Sequence, residues 1–205
     1  MLQLYFAPGT CAMAVHIALE EAGAEYEAVR IDFATNDQKQ PDFLAINPKA
    51  RVPALVTPHG VLTETPAILG FVAQSFPAAA LAPTEPYAFA RAQAFNSYLC
   101  STVHVAHAHR VRGSRWTDDA AAVEALKQKV PQNMADCFAL IERDMLAGPW
   151  VLGAAYSVCD AYLFTISRWL AGDGVDVARF SNVQAHAQRM AARPAVQKVL
   201  ALHVA

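Results

Sequence analysis

The sequence lacks long apolar runs, paired cysteines and long stretches of basic residues. No apolar run approaches the roughly 20 residues that span a bilayer, so no membrane-spanning segment is predicted. Hydrophobic residues make up 55% of the chain and charged residues only 17%, which excludes an intrinsically disordered protein. The 205 residues are therefore expected to form a soluble globular protein with a large core.

Two further absences bear on the cell compartment and on the binding partner. The N-terminus has no basic region followed by a long apolar stretch and a cleavage site, and the four cysteines form no Cys-X-X-Cys pair. We therefore expect reduced thiols and a cytoplasmic protein. The net charge is only −2, and no basic run is interleaved with aromatic residues, so nucleic acid is not expected to bind. The expected partner is a small molecule.

The first 77 residues alternate between strand and helix patterns. A helix between the first two strands makes them parallel, and the tight turn around Pro58 makes the last two antiparallel. The order βαβ-ββα predicts a thioredoxin-like α/β domain. The predicted elements are a strand at 2–6, a helix at 12–22, strands at 28–33, 54–57 and 60–63, and a helix from 66 to 76 after Thr65 as its N-cap.

The rest of the chain is predicted to be helical. The segment 78–86 is rich in proline and alanine and is interpreted as a linker between two domains, 1–77 and 87–205. The second domain is expected to be all-α. Its predicted helices cover 87–112, 118–146, 157–171, 180–192 and 194–203. Ser157 and Asp160 have the spacing of a capping box, so we assign Asp160 a structural role.

Cys11 is the leading candidate for a reactive residue because it stands where the first helix begins. The helix start is expected to lower its pKa below the value of about 8.5 for a free thiol and so to favour the nucleophilic thiolate. The alternative is a small packed apolar residue, which is our interpretation for Cys100, Cys137 and Cys159. No second cysteine follows Cys11 within its motif, so an external thiol would have to complete its chemistry.

Several separated motifs, spread over nearly the whole chain, resemble those of bacterial glutathione S-transferases of the beta class, which are of the cysteine type. They are Tyr5 with Pro8-Gly9-Thr10-Cys11, Asn47-Pro48 with Val52-Pro53-Ala54-Leu55, Thr63-Glu64-Thr65, Asp160 to Thr165, and Arg193-Pro194-Ala195-Val196. The resemblance implies the two-domain architecture of cytosolic glutathione transferases. It also implies glutathione as co-substrate, no metal, and a homodimer.

The resemblance assigns glutathione-binding roles to four residues. Val52 and Pro53 are implied to form a cis peptide, with the Val52 backbone pairing with the cysteinyl part of glutathione. Thr65 and the helix start are implied to bind the γ-glutamyl carboxylate, and Glu64 its ammonium. Without the resemblance, Pro53 would be read as an ordinary trans proline and Thr65 as a simple helix cap.

A histidine and a substituted position complete the implied site. His104 aligns with a family histidine near the catalytic cysteine, where it could hydrogen-bond the glutathione sulfur. Ser97 replaces an asparagine that reaches across the dimer in relatives, and lysines of relatives are absent at Thr35 or Asn36 and at Val105. His107 shares a helical face with His104, but no further ligand completes a set, so no metal site is predicted.

A pocket for the second substrate is expected around Arg110, Trp116 and Trp169, although core packing is an equal interpretation for Trp169. Arg110, Arg112 and Arg115 either add positive charge to the site or form a solvated basic helix end. His16 is expected to point away from Cys11 and to be structural or exposed.

The functional prediction is a glutathione S-transferase with Cys11 and His104 as catalytic residues. Two reactions stay open: conjugation of glutathione to a small electrophile, and glutathione-dependent exchange on a small disulfide substrate. An isomerase of the same superfamily is disfavoured because a Ser-Ser-Cys type of motif is missing. The alternative is a non-catalytic binding or regulatory protein that retains the fold and a degraded glutathione site.

Overall fold

Four short strands form one mixed sheet near the N-terminus. The protein is described by a computed structural model that covers residues 1–203. The sheet order is β2-β1-β3-β4, with β1 and β2 parallel and the other pairs antiparallel, as the sequence predicted. The strands are β1 (Leu2–Phe6), β2 (Tyr26–Arg30), β3 (Ala54–Thr57) and β4 (Gly60–Thr63).

The first helix is buried on more than one side. All residues of α1 (Ala12–Glu21) from Ala12 to Leu19 are buried. Ala14 and Val15 belong to the same apolar cluster as Leu4 of the sheet. Met13 and Ile17, one helical turn apart, pack in a second cluster with residues of the C-terminal helices. The helix therefore joins the sheet to the helical part of the chain.

Three details of this region differ from the prediction. Strand β2 ends at Arg30 rather than at 33, because Asp32 begins a polar turn in which its carboxylate accepts the Ala34 N–H. A short helix, α2 (Pro41–Ile46), lies where the sequence predicted neither helix nor strand, because its six residues are too few for a periodic pattern. Thr65 is the first residue of α3 (Thr65–Ser75), so Glu64 and not Thr65 is the N-cap.

The C-terminal part is helical, as predicted. A π-turn at Leu99–Val103 joins α4 to α5, which together fill the expected 87–112. The helices are α4 (Pro86–Tyr98), α5 (His104–Arg112), α6 (Ala120–Leu140), α7 (Val158–Ser167), α8 (Ser181–Ala191) and α9 (Pro194–Leu202). Within the described residues, no helix is both long and apolar enough to cross a membrane.

The segment between α3 and α4 packs against the helical part. Leu81 is buried, and its carbonyl accepts the Val158 N–H at the start of α7 over 2.8 Å. The segment predicted to be a linker is thus held against the start of α7 by this hydrogen bond and by the burial of Leu81. The domain boundaries at residues 77 and 87 stay predictions.

Asp160 forms the capping box that the sequence predicted and also holds a buried loop. Its carboxylate accepts the Ser157 N–H at 2.8 Å and the Val151 N–H at 2.7 Å, and His186 Nε2 lies 3.0 Å away. The side chain is fully buried. Because buried charged groups need all their partners, this carboxylate is expected to stabilise the fold far more than an exposed cap does.

We predict that Asp160→Ala lowers the free energy of unfolding by about 3 kcal/mol or more, since it leaves buried N–H groups without an acceptor. The matched control is Asp119→Ala. Asp119 is the N-cap of α6, where its exposed carboxylate accepts the Ala121 N–H, so its loss should cost about 1 kcal/mol. Urea unfolding of both variants measures the difference, and equal losses would contradict the structural role of Asp160. Asp160→Asn, which keeps one acceptor oxygen, should fall between wild type and Asp160→Ala.

His16 is structural rather than exposed. It is fully buried, and its Nδ1 lies 3.1 Å from Nε2 of His203. Burial lowers the pKa of His16 from 6.5 to about 4, and burial also lowers the pKa of His203 to about 4. Both rings are therefore neutral in the folded protein at neutral pH.

Acidification should destabilise the protein between pH 6.5 and about 4. In that range the two histidines of the unfolded chain take up protons while the folded protein excludes them, so the free energy of unfolding falls as the pH falls. Urea unfolding at several pH values measures this slope. His16→Phe, which removes one titrating ring, should reduce the slope, and an unchanged slope would show that the loss arises elsewhere.

Candidate active site around Cys11

A cavity of about 690 Å³ lies where the N-terminal ends of α1 and α3 meet the α4–α5 segment. Cys11, Val52 and Thr65 line it from the sheet side, and His104 and Trp169 line it from the helical side. Both parts of the chain thus contribute to one site. The structure brings together residues that are separated by more than 150 positions, counted from Cys11 to Trp169.

Cys11 is the residue that precedes α1, as the sequence predicted. The loop before it is held by the Thr10 hydroxyl, which donates to the Ala7 carbonyl at 2.7 Å. Gly9 has a φ of 71°, a left-handed conformation that glycine adopts without strain. Trp169 Nε1 donates to the Gly9 carbonyl at 3.1 Å, so the helical part fixes the same loop.

The expected lowering of the Cys11 pKa is wrong for this structure. Only 7% of Cys11 is exposed, and burial raises the pKa of its thiol. The Thr65 hydroxyl and the positive charge of Arg112 act in the opposite direction but do not outweigh burial. The helix start was the only influence visible in the sequence, whereas the loss of water around the sulfur comes from residues distant in the chain.

The Val52–Pro53 peptide bond is cis, as the resemblance implied. The Val52 carbonyl lies 3.7 Å from Cys11 Sγ, which donates to it. Among the hydrogen bonds of the described residues, none uses the Val52 N–H. The backbone of Val52, two residues before β3, therefore offers an N–H without a partner among the described residues close to the thiol.

Glu64 and Thr65 also line the cavity. Glu64 has a φ of 71°, which is unusual for a residue with a side chain and occurs often at functional sites. Its carboxylate forms an ion pair with Lys49 at 2.6 Å. Thr65 is buried at the start of α3, where helix N–H groups favour an anion.

His104 lines the cavity as a neutral ring. Burial, and then the positive charge of Arg112, lowers its pKa to about 3, with Arg51 and Arg115 contributing in the same direction. It can therefore donate or accept one hydrogen bond but does not supply a positive charge near the thiol at neutral pH.

His107 has a different role from its neighbour. Its Nδ1 lies 2.8 Å from the buried Asp173, and its ring stacks on Trp169 with centroids 4.1 Å apart. Within the described residues, no group of three or more metal-ligating side chains comes together. The Asp173–His107 pair instead supports the position of Trp169 beside the cavity.

Two predicted residues lie outside the cavity. Arg110 was expected at the second-substrate pocket, but its guanidinium is 2.9 Å from Asp173 and donates to the Gly172 carbonyl. Ser97 is exposed and does not line the cavity. Trp116 and Trp169 do line it, and Trp116 is 48% exposed.

Sequence reasoning missed several cavity residues, among them Cys100, Arg51 and Tyr162. Cys100 lines the cavity as well as packing against the core, and Arg51, directly before Val52, also lines it. Tyr162 is fully buried in α7 and is among the residues that line the same cavity, and its hydroxyl has no hydrogen-bond partner among the described residues. The only available signals were the place of Tyr162 in the motif after Asp160 and the place of Arg51 beside Pro53.

Comparisons with known proteins agree with this geometry. A family model described as "Glutathione S-transferase, N-terminal domain" matches residues 1–74. The chain is 30% identical to glutathione S-transferase GstA of Escherichia coli O157:H7, over 97% of each protein.

Two solved structures are similar over 98% of each chain. A glutathione transferase homologue from Sulfitobacter with bound glutathione has 49% identity and a TM-score of 0.96. A beta class glutathione S-transferase from Sphingomonas chungbukensis has 34% identity and a TM-score of 0.85. The similarity therefore extends over the sheet, the helical part and the cavity between them.

We predict that Cys11 titrates above the ordinary range of a cysteine thiol and that Thr65→Val raises its pKa further, because the hydroxyl favours the thiolate. The alkylation rate by iodoacetamide, followed against pH, reports the thiolate, and Cys11→Ala gives the background from the other cysteines. The rate should still be rising with pH where a free thiol has levelled off. Thr63→Val, which removes a hydroxyl two residues away, is the matched control. A Cys11 pKa below the ordinary value would refute this account.

Proposed function

Because this chain belongs to the glutathione S-transferase family, we propose that Cys11 bonds covalently to glutathione and that the protein catalyses glutathione-dependent thiol–disulfide exchange. The relatives support a glutathione transferase, and the non-catalytic alternative is not retained. One observation carries the proposal. The Cys11 sulfur lies 3.7 Å from the Val52 carbonyl, in a cavity that the start of α3 also lines.

The lining residues support one orientation for glutathione. The start of α3, with the Thr65 hydroxyl, suits the γ-glutamyl carboxylate, and Glu64 suits the ammonium of the same end. Glu64 would then share its charge between this ammonium and Lys49. The free N–H and the carbonyl of Val52 suit the cysteinyl backbone, as an added strand would. The glutathione sulfur then lies next to Cys11.

The exchange proceeds in two steps, each of which breaks one disulfide bond and forms another. The Cys11 thiolate attacks the glutathione sulfur of a mixed disulfide, which forms the Cys11–glutathione disulfide and releases the other sulfur as a thiolate that takes up a proton. The thiolate of a second glutathione then attacks the glutathione sulfur of this intermediate. Glutathione disulfide leaves, and Cys11 is restored. Each turnover consumes one glutathione thiol: the mixed disulfide is reduced to a free thiol, and the two glutathione sulfurs leave joined as glutathione disulfide.

A second candidate, conjugation to an electrophile, is favoured by the raised pKa of Cys11. A thiol that keeps its proton can donate a hydrogen bond to a bound glutathione thiolate, which then attacks the electrophile. His104, neutral and in the same cavity, can donate in the same way. In this reaction Cys11 would assist but would not be consumed.

A homodimer and a cytoplasmic location belong to the same proposal. The dimer is supported by the family resemblance, in which the position of Ser97 contacts the partner subunit. The exposure of Ser97 in the single chain is compatible with that contact.

We predict that wild-type protein treated with glutathione disulfide gains one glutathionyl group on Cys11, measured by mass spectrometry of its peptides. Cys11→Ala should lose this adduct and reduce disulfide exchange by at least about a hundredfold, because the attacking sulfur is gone. Cys137→Ala is the matched control, since this half-buried cysteine lies outside the cavity.

Cys11→Ser separates the two candidate reactions. It should abolish exchange but keep part of any conjugation, because a hydroxyl still donates a hydrogen bond. If wild-type protein neither binds immobilised glutathione nor forms the adduct, the proposal is wrong.

A further inference from the structure

Three arginines line the cavity beside the glutathione site: Arg51, Arg112 and Arg115. They come from the loop before Pro53 and from the end of α5 and the turn after it. Within residues 1–203, none of them forms a salt bridge with a carboxylate. The Nε of Arg112 is buried and has no hydrogen-bond partner there.

The three positive charges lie close enough to repel one another. The pKa of Arg112 is lowered by burial and by the charge of Arg51, and the pKa of Arg115 is lowered by burial and by both other arginines. The same three charges lower the pKa of His104. Among the described residues that line the cavity, Glu64 alone has a carboxylate, and it pairs with Lys49. The cavity therefore carries uncompensated positive charge.

Two other partly buried arginines of this chain are paired with carboxylates. Arg110 pairs with the buried Asp173, and Arg193 forms an ion pair with Glu21. Arg51 and Arg115 are exposed, whereas Arg112 is half-buried with a buried Nε that has no partner among the described residues. The planar donors of these guanidinium groups suit a carboxylate or a similar oxyanion as ligand.

Glutathione alone does not supply an anionic partner for each of the three arginines. Its γ-glutamyl carboxylate is assigned to the start of α3, so only the glycyl carboxylate needs a cation. Arg51 directly precedes Val52, to which the cysteinyl backbone of glutathione is assigned. Because the glycyl residue follows the cysteinyl residue, we assign the glycyl carboxylate to Arg51. Arg112 and Arg115 are left without a partner.

The residues next to these two arginines are apolar and exposed. Val111 is 68% exposed and Trp116 is 48% exposed, and both line the cavity. Exposed apolar side chains beside unpaired arginines suit a ligand with an apolar body and an acidic group.

We propose that the second substrate carries a carboxylate or similar anionic group on an apolar body, and that Arg112 and Arg115 select it. This rests on the proposed function, since it names the substrate class that reacts beside glutathione. It makes Arg112 and Arg115 specificity-determining residues of the exchange reaction.

The test compares three small disulfides that undergo the same exchange but differ in charge: anionic dithiodipropionate, neutral bis(hydroxyethyl) disulfide and cationic cystamine. We expect kcat/KM to be about tenfold higher for the anionic than for the cationic disulfide at low salt. The difference should shrink as salt is added, because salt screens the exposed charges.

The variant Arg112→Gln with Arg115→Gln should lose this preference: kcat/KM falls for all three disulfides, because Arg112 also favours the Cys11 thiolate, and it falls most for the anionic one. Arg91→Gln, an exposed arginine of α4 that does not line the cavity, is the matched control and should keep the preference. Equal kcat/KM values for the three disulfides in wild type, or a preference that survives the double substitution, would overturn the proposal.

A binding measurement keeps the test independent of Cys11 chemistry. With glutathione present, quenching of tryptophan fluorescence should show phenylpropionate binding about fivefold more tightly than its uncharged amide, through charge-assisted hydrogen bonds. Equal affinities would also overturn the proposal. If none of the disulfides is turned over but the acid still binds preferentially, the exchange function fails and the anion site stands.

Discussion

The burial of α1 between the sheet and the helical part is the constraint on which the site depends. Ala14 and Val15 pack with the sheet, while Met13 and Ile17 pack with the C-terminal helices, so the helix cannot shift without opening one of the two apolar clusters. Cys11 directly precedes this helix, so the packing of α1 also fixes the position of Cys11. The hydrogen bond from Trp169 to the Gly9 carbonyl fixes the loop from the other side.

The same burial that positions Cys11 opposes its ionisation. A sulfur that is only 7% exposed loses the water that would stabilise a thiolate, and its pKa rises in spite of the Thr65 hydroxyl and Arg112. Burial also opposes the ionisation of His104. Burial and the nearby arginines lower its pKa, so its ring stays neutral. A neutral thiol and a neutral imidazole in one cavity suit the recognition of a ligand that brings its own negative charge. Glutathione and an acidic second substrate both do so.

The helical part supports the cavity through two buried carboxylates, Asp173 and Asp160. Asp173 binds His107 and Arg110, and His107 in turn stacks on Trp169 beside the cavity. Asp160 holds the start of α7, the helix that carries Tyr162 into the same cavity. These carboxylates explain why some charged residues near the site are structural. They also show, by contrast, that Arg112 and Arg115 have no such partner within the described chain.

The sequence alone determined the order of the elements apart from the short helix α2, the place of Cys11 before the first helix and the capping box of Asp160. Each of these depends on residues within a few positions of one another, and the structure has the predicted strands and helices in the same order. The resemblance added the cis bond before Pro53, which short-range patterns do not specify. Only the tertiary structure decided that Arg110 binds Asp173 while Arg112 lines the cavity, and that Cys100 and Tyr162 lie near the thiol. It also reversed the expected direction of the Cys11 pKa. The physical reason is that helix rotation and the exclusion of water are set by side chains far away in the chain, whereas caps and periodic patterns are set by neighbours.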